Sequence, residues 1–252
     1  MLRPLHSMKG YKLAAEDGEF GRVKDYLFDD EYWTVRYLVA DTGRWVPHRK
    51  VLISPVSLGT PDWDDGRFPV KLTKEQVEQQ PDLEADEPVS RRHEKLWYET
   101  YGYPFWGYGI VPPALFDIEQ SEDEREEFRR IDEATCLRSL EEVRGYDIEA
   151  PDGTIGRLED LIMDNETWAI RYLTVNMEDR IPDRSVFLAP AWFESFDWEQ
   201  QKLFCRFSRE TVDAAPELHA DMPITPAREK TLFDYFDVPG WASVTGRSEP
   251  GI

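Results

Sequence analysis

The chain has 252 residues, 40% of them hydrophobic, with nine tryptophans and a net charge of −21. That length exceeds one typical domain, and the acidic balance argues against a partner such as nucleic acid, whose phosphates demand a basic surface. No apolar run approaches the roughly 18 residues of a spanning helix and the N-terminus has no apolar signal core, so the expectation is a cytoplasmic chain with no transmembrane segment.

In chain order, residues 1–83 read as short strands separated by turn signals. Tyr11 to Ala15 is a first strand, Asp17-Gly18 with Gly21 a hairpin signal, and Arg22 to Asp29 a second strand. Asp30-Glu31 makes a turn, and Trp33 to Asp41 follows with β-branched and aromatic residues in period two. Lys50 to Ile53 and Val56 to Leu58 flank Pro55, and Asp64-Asp65-Gly66 turns the chain into Arg67 to Leu72. Six short antiparallel strands in so few residues favour a small closed or nearly closed barrel over an open sheet with bare edges.

Thr73 and Gln76 form a capping box that opens a helix, ended by Pro81. Residues 84–106 are a helical tail with Ser90 as a second N-cap and the aromatic stripe Trp97, Tyr98 and Tyr101. Residues 107–136 read as an acidic linker, led by Pro112-Pro113. A second barrel then spans 137–218, and a second helical tail spans 219–252 with Thr225 as N-cap and Pro226 at the favoured first helical position.

The second half repeats the first at a constant offset of 135 residues. Gly18 meets Gly153, Gly21 meets Gly156, Asp25 meets Asp160, Trp33 meets Trp168, and Arg36 meets Arg171. Upstream, Leu2, Arg3 and Leu5 meet Leu137, Arg138 and Leu140; downstream, the tail stripe meets Leu232, Phe233 and Phe236. These six tail residues are the candidate interface, with docking on a barrel as the competing role. The register carries residues 2–106 onto 137–241 without a gap, so a whole unit has been duplicated.

The repeat carries little chemistry. Cys136, Cys205 and the four histidines all face unlike residues in the other copy, with no metal-ligand spacing, and no cofactor or catalytic residue is assigned. Ser54, Ser57 and Ser90 align with Ala189, Trp192 and Thr225, which leaves no repeated nucleophile. Gly-Glu-Phe-Gly-Arg leads into a strand and lacks the phosphate-loop pattern. If the turn after Asp29 holds two residues, Asp25 and Arg36 are direct cross-strand partners and Phe28 meets Trp33. A three-residue turn breaks that pairing. The glycines are assigned to turns and bulges.

The succession Asp17-Gly18, Gly21-Arg22-Val23, Asp25, Phe28-Asp29, Trp33, Val35 to Val39 and Asp41-Thr42-Gly43, followed by Arg49 to Ile53, resembles the PRC-barrel family. That family is named for the cytoplasmic domain of the photosynthetic reaction-centre H subunit and includes the C-terminal domain of the ribosome maturation factor RimM. The second copy departs at 176–180, where Asn-Met-Glu-Asp-Arg replaces Asp-Thr-Gly-Arg-Trp. The resemblance implies tandem antiparallel barrels with a binding or assembly role, and offers no catalytic residues.

The expected function is thus non-enzymatic: binding of a protein partner, or of the chain itself. Two rivals are a soluble relative of the H subunit in peripheral contact with a membrane complex, and an enzyme or small-ligand binder using a cleft between the barrels. A ribosome-assembly role is a further candidate, against which the charge and the absence of an RNA-side domain both weigh.

Overall fold

Two twelve-residue strands, Gly18–Asp29 and Gly153–Asp164, are repeat counterparts and organise the two sheets. In a computed structural model, the structure describes residues 1–46, 50–80, 137–177, 185–216 and 224–238. The chain divides into two units. A first-repeat unit comprises Met8–Glu142 with Thr167–Ala169, and a second-repeat unit comprises Met1–Ser7, Val143–Glu166 and Ile170–Ile252.

Strand β1 (Leu2–Pro4) opens the chain yet belongs to the second-repeat unit. The first-repeat unit contains β2 (Lys12–Ala15), β3 (Gly18–Asp29), β4 (Thr34–Asp41), β5 (Val51–Ile53) and β6 (Arg67–Pro69), paired in the order β5-β4-β3-β2-β6. A two-residue strand from the start of the second repeat, β7 (Arg138–Ser139), pairs with β3. The first helical tail, 84–106, and the acidic linker, 107–136, lie outside the described residues. The strands form because apolar residues fall where they can be buried: Leu13, Tyr26, Phe28, Tyr37, Leu38 and Phe68 are completely enclosed. Helix α1 (Lys74–Glu78) closes this part, and the capping box of Thr73 with Gln76 is present as expected.

The second-repeat unit is built alike. Its β8 (Asp147–Ala150), β9 (Gly153–Asp164), β10 (Ile170–Asn176), β11 (Ser185–Leu188), β12 (Phe193–Asp197) and β13 (Lys202–Cys205) pair in the order β11-β10-β9-β8-β13-β12, with β1 added along β9. The chain passes from the first-repeat unit into this one within the short helix α2 (Leu140–Val143). Two more helices, α3 (Arg209–Asp213) and α4 (Pro226–Tyr235), are capped by Ser208 and Thr225.

Three sequence expectations change. One ladder in each sheet is parallel: β2 runs alongside β6, with Lys12 opposite Arg67, and β8 alongside β13, with Asp147 opposite Lys202. Val56 to Leu58, read as a strand, instead belongs to a 3-10 turn at Pro55–Ser57 and its exit, so the coarse statement that holds among the described residues is two β-sheets with short helices. The turn after Asp29 holds four residues. Both Glu31 and Tyr32 donate their N–H to the Asp29 side chain, at 2.9 and 3.1 Å, and Trp33 takes a left-handed φ of 51° before Thr34 pairs opposite Asp29. With two extra turn residues and a bulge at Arg36, Asp25 lies opposite Val39, and the Asp25–Arg36 pair does not form. The Phe28–Trp33 contact survives as a stack with ring centroids 5.5 Å apart.

Candidate site at the shared aspartates

Of the shared motif, Gly18 and Gly153 occupy the hairpin turns at φ of 132° and 136°, a region that suits glycine. Gly21 and Gly156 need a different explanation. A Cβ on Gly21 would lie 2.5 Å from the Asp41 carbonyl oxygen, and one on Gly156 2.0 Å from that of Asn176. Both positions are glycine because the neighbouring strand comes too close for any side chain.

Arg36 is buried, and its Nη2 donates to Asp29 Oδ2 at 2.9 Å, where both side chains are nearly inaccessible. Holding the hairpin closed is enough to explain this pair, since an ion pair away from water persists only with good geometry. The second copy uses a different device: Asp164 accepts the Glu166 N–H at 2.9 Å and lies 3.8 Å from the N-terminal amine of Met1. Trp168, at φ 60°, belongs to the first-repeat unit, where its carbonyl accepts the Val35 N–H at 2.9 Å and its ring lies 6.1 Å from Phe68.

Asp25 and Asp160 are the charged groups of the motif whose carboxyls burial shifts. Asp25, on β3, accepts the Ser139 hydroxyl at 2.5 Å and the Glu141 N–H at 3.2 Å. Burial pushes its carboxyl up, against the pull of these hydrogen bonds, the Tyr26 N–H and the nearby Lys9. Asp160, on β9, accepts the His6 N–H with both oxygens at 3.1 and 3.2 Å and its neighbour Leu161 N–H at 2.8 Å. Burial drives this carboxyl up to about 7; the two N–H groups and Arg144 oppose the rise, and Glu159 adds to it.

These arrangements are the same site in two copies. His6 and Glu141 are repeat partners, as are Lys9 and Arg144, so each aspartate grips the segment following β1 or β7 at an equivalent backbone position. Around Asp25 the grip is completed by an ion pair between Lys9 and Glu141. Around Asp160, Arg144 bridges to the His6 ring at 3.1 Å and donates to the Glu159 carbonyl at 2.8 Å. Lys9, Ser139 and Arg144 were not singled out from sequence, and His6 with its repeat partner Glu141 was set aside as an unlike pair without metal-ligand spacing, although the pairing of Leu2, Arg3 and Leu5 with Leu137, Arg138 and Leu140 pointed to their neighbourhood.

A surface hollow of about 440 Å³ beside this cluster is lined by Arg144, Gly145, Arg157, Leu158, Glu159 and Asn176. Its basic groups are already engaged, Arg157 with Asp147 at 3.3 Å and Arg144 as above, and among the described residues its lining contains no Ser, Thr or Cys. Among the described residues no three His, Cys, Asp or Glu side chains are grouped to hold a metal ion, and no helix is long and apolar enough to cross a membrane. Cys205 is buried, and burial raises its thiol. Aspartates committed to backbone N–H groups in both units are therefore structural clamps.

No family model matches the chain. A protein of Deinococcus radiodurans described as uncharacterized is 36% identical over 72 residues, which covers 29% of this chain and 26% of that protein. The chain thus spans about a quarter of that relative's length.

The tail residues separate into two groups. Trp97, Tyr98 and Tyr101 lie outside the described residues. Leu232, Phe233 and Phe236 are buried in their own unit, where Trp192 meets Phe233 and Phe236 at centroid distances of 5.1 and 4.7 Å. This half of the candidate interface is core, and the docking role is the one it fills. The position of Trp192 in the first copy is Ser57, so the second repeat carries a larger apolar anchor for its helix. Glu229 on α4 is also buried and accepts the Tyr172 hydroxyl at 3.0 Å.

Proposed function

We propose that this chain is a tandem PRC-barrel-type protein acting as a non-enzymatic binding or assembly module, for a protein partner or for itself. One observation supports this reading above the others: the acid that both repeats keep, Asp25 and Asp160, is consumed in each unit by holding a backbone segment. The glycines and arginine kept beside it fill turns, close approaches and a bulge. A duplication that preserves scaffold residues and leaves no repeated nucleophile or metal set favours binding over catalysis.

The resemblance to the PRC-barrel family agrees with this reading in its expectation of an assembly role. Light scattering of the full chain across the micromolar range, with cross-linking mass spectrometry of native lysate, tests it. Self-association or a reproducible cross-linked protein partner is the expected result. A strictly monomeric chain that cross-links to no protein sinks the proposal.

A further inference from the structure

Leu2-Arg3-Pro4-Leu5 and Leu137-Arg138-Ser139-Leu140 are one segment stated twice, and each is bound by the unit built on the other repeat. In the second-repeat unit, β1 lies antiparallel to β9 with Leu2, Arg3 and Pro4 opposite Asp164, Met163 and Ile162. The Leu5 N–H then donates to the Leu161 carbonyl at 2.9 Å, and the His6 N–H to Asp160. In the first-repeat unit, β7 lies antiparallel to β3 with Arg138 and Ser139 opposite Phe28 and Leu27. Here Arg138 Nε pairs with Asp30 at 3.1 Å, and the Glu141 N–H reaches Asp25. Leu2, Leu5, Leu137 and Leu140 are all buried, the two inner ones completely.

Each unit therefore offers a slot with the same parts: a free run of one long strand, apolar room for two leucines three residues apart, and a carboxylate that receives the next N–H. Strand addition of this kind draws its affinity from the main chain and its specificity from the side-chain pockets. A slot filled by the same segment from the other repeat is the pattern that two identical single-repeat chains would make by trading strands, a low-cost route to a dimer. Everything the slot reads is present on every copy of the chain.

We infer that the slots along β3 and β9 are recognition sites for an extended Leu-Arg-x-Leu segment, and that a second copy of this chain can supply Leu137–Leu140 to the β3 slot in place of the chain's own, giving strand-exchanged dimers. This deepens the assembly reading and rests on it. The chain's own segment competes at the high effective concentration of an intramolecular ligand. Exchange therefore becomes visible when folded chains form together at high protein concentration.

The wild-type chain carries its own reporter, since Lys9 of the first-repeat unit is ion-paired with Glu141 on the segment that fills its slot. Unlabelled and ¹⁵N-labelled full chains are refolded together, treated with a carbodiimide, and separated into monomer and dimer. Peptides joined between Lys9 and Glu141 are then read by mass spectrometry. Mixed-isotope pairs in the dimer and same-isotope pairs in the monomer are expected. A dimer containing only same-isotope Lys9–Glu141 pairs overturns strand exchange while leaving self-association through another surface intact. Chains that refold only to monomers also overturn it, and leave the assembly reading to a different partner.

Discussion

Asp160 and His6 are joined through a carboxylate and a main-chain N–H, with both oxygens 3.1 to 3.2 Å from the same nitrogen, across 154 positions of sequence. Asp25 and Glu141 repeat the relationship across 116 positions. Local structure cannot account for either contact, because each draws a distant segment onto the sheet edge. The shared aspartate is thus a long-range connector, and its burial gives it an unusual dependence on pH.

That dependence has a definite sign. Asp160 titrates at about 7 in the folded chain against an ordinary value of 3.8, so the folded state holds this proton more tightly than the unfolded state does. Its contribution is fully present below about 4 and is lost as pH rises through about 7, at no more than about 1.4 kcal/mol per pH unit. Asp160→Asn keeps an acceptor and removes the titration. Thermal midpoints measured from about pH 5 to 8 should fall more steeply in the wild type than in the variant, and parallel curves would show that Asp160 does not titrate there.

Gly21→Ala and Gly156→Ala should each lose about 1–3 kcal/mol or more, because the new methyl meets a strand carbonyl at 2.5 and 2.0 Å. Gly43→Asn is the control: its φ of 61° suits asparagine and nothing lies within 4 Å of a Cβ there. Urea midpoints decide the matter. A Gly156→Ala protein as stable as the Gly43→Asn protein would mean that the strands can part without cost.

Removing one partner of the buried Arg36–Asp29 pair should be expensive. Arg36→Met strands a carboxylate that also organises the turn through Glu31 and Tyr32, at a cost of about 3–5 kcal/mol. In a double-mutant cycle with Asp29→Asn, the two losses should fall well short of adding. Strict additivity would place the two side chains in separate environments.

Leu5→Ala and Leu140→Ala should each cost about 2–5 kcal/mol, as expected for fully buried leucines. The first is the sharper test, since the first few residues of a chain usually tolerate change. A loss below about 0.5 kcal/mol for Leu5→Ala, read from denaturant midpoints, would show that β1 is not docked in solution.

The turns, the capped helices and most of the strands were legible because each depends on neighbours within a few residues: Gly18 at a turn, Thr73 with Gln76, Thr225 before Pro226. The duplication was legible because one constant offset of 135 residues aligns the two halves. What escaped was anything set by distant chain. The Asp25–Arg36 register failed because the Asp29 side chain binds two turn N–H groups and enlarges the turn. Gly21 looked like a residue chosen for its backbone angles, whereas the constraint is a carbonyl on another strand. The clamp itself was invisible because Asp25 and Glu141 carry no signal of one another, and the aligned Leu2 and Leu137 marked the segment without saying which sheet receives it. The tail stripe at Leu232, Phe233 and Phe236 has the same pattern whether it faces a partner or its own core, and only the packing against Trp192 separates the two.

The placement of β7 on β3 also sets a timetable for synthesis. A ribosome releases the chain from its N-terminus, so most of the first repeat emerges long before Arg138 and Ser139 do. Its sheet must wait, with the stretch of β3 that receives Arg138 and Ser139 uncovered, until the second repeat begins to emerge. Strand β1 waits longer still, since the residues it pairs with end at Asp164. A nascent chain that pauses between the two repeats presents an open strand edge to whatever is nearby, and in a polysome the nearest available segments are those of its own siblings.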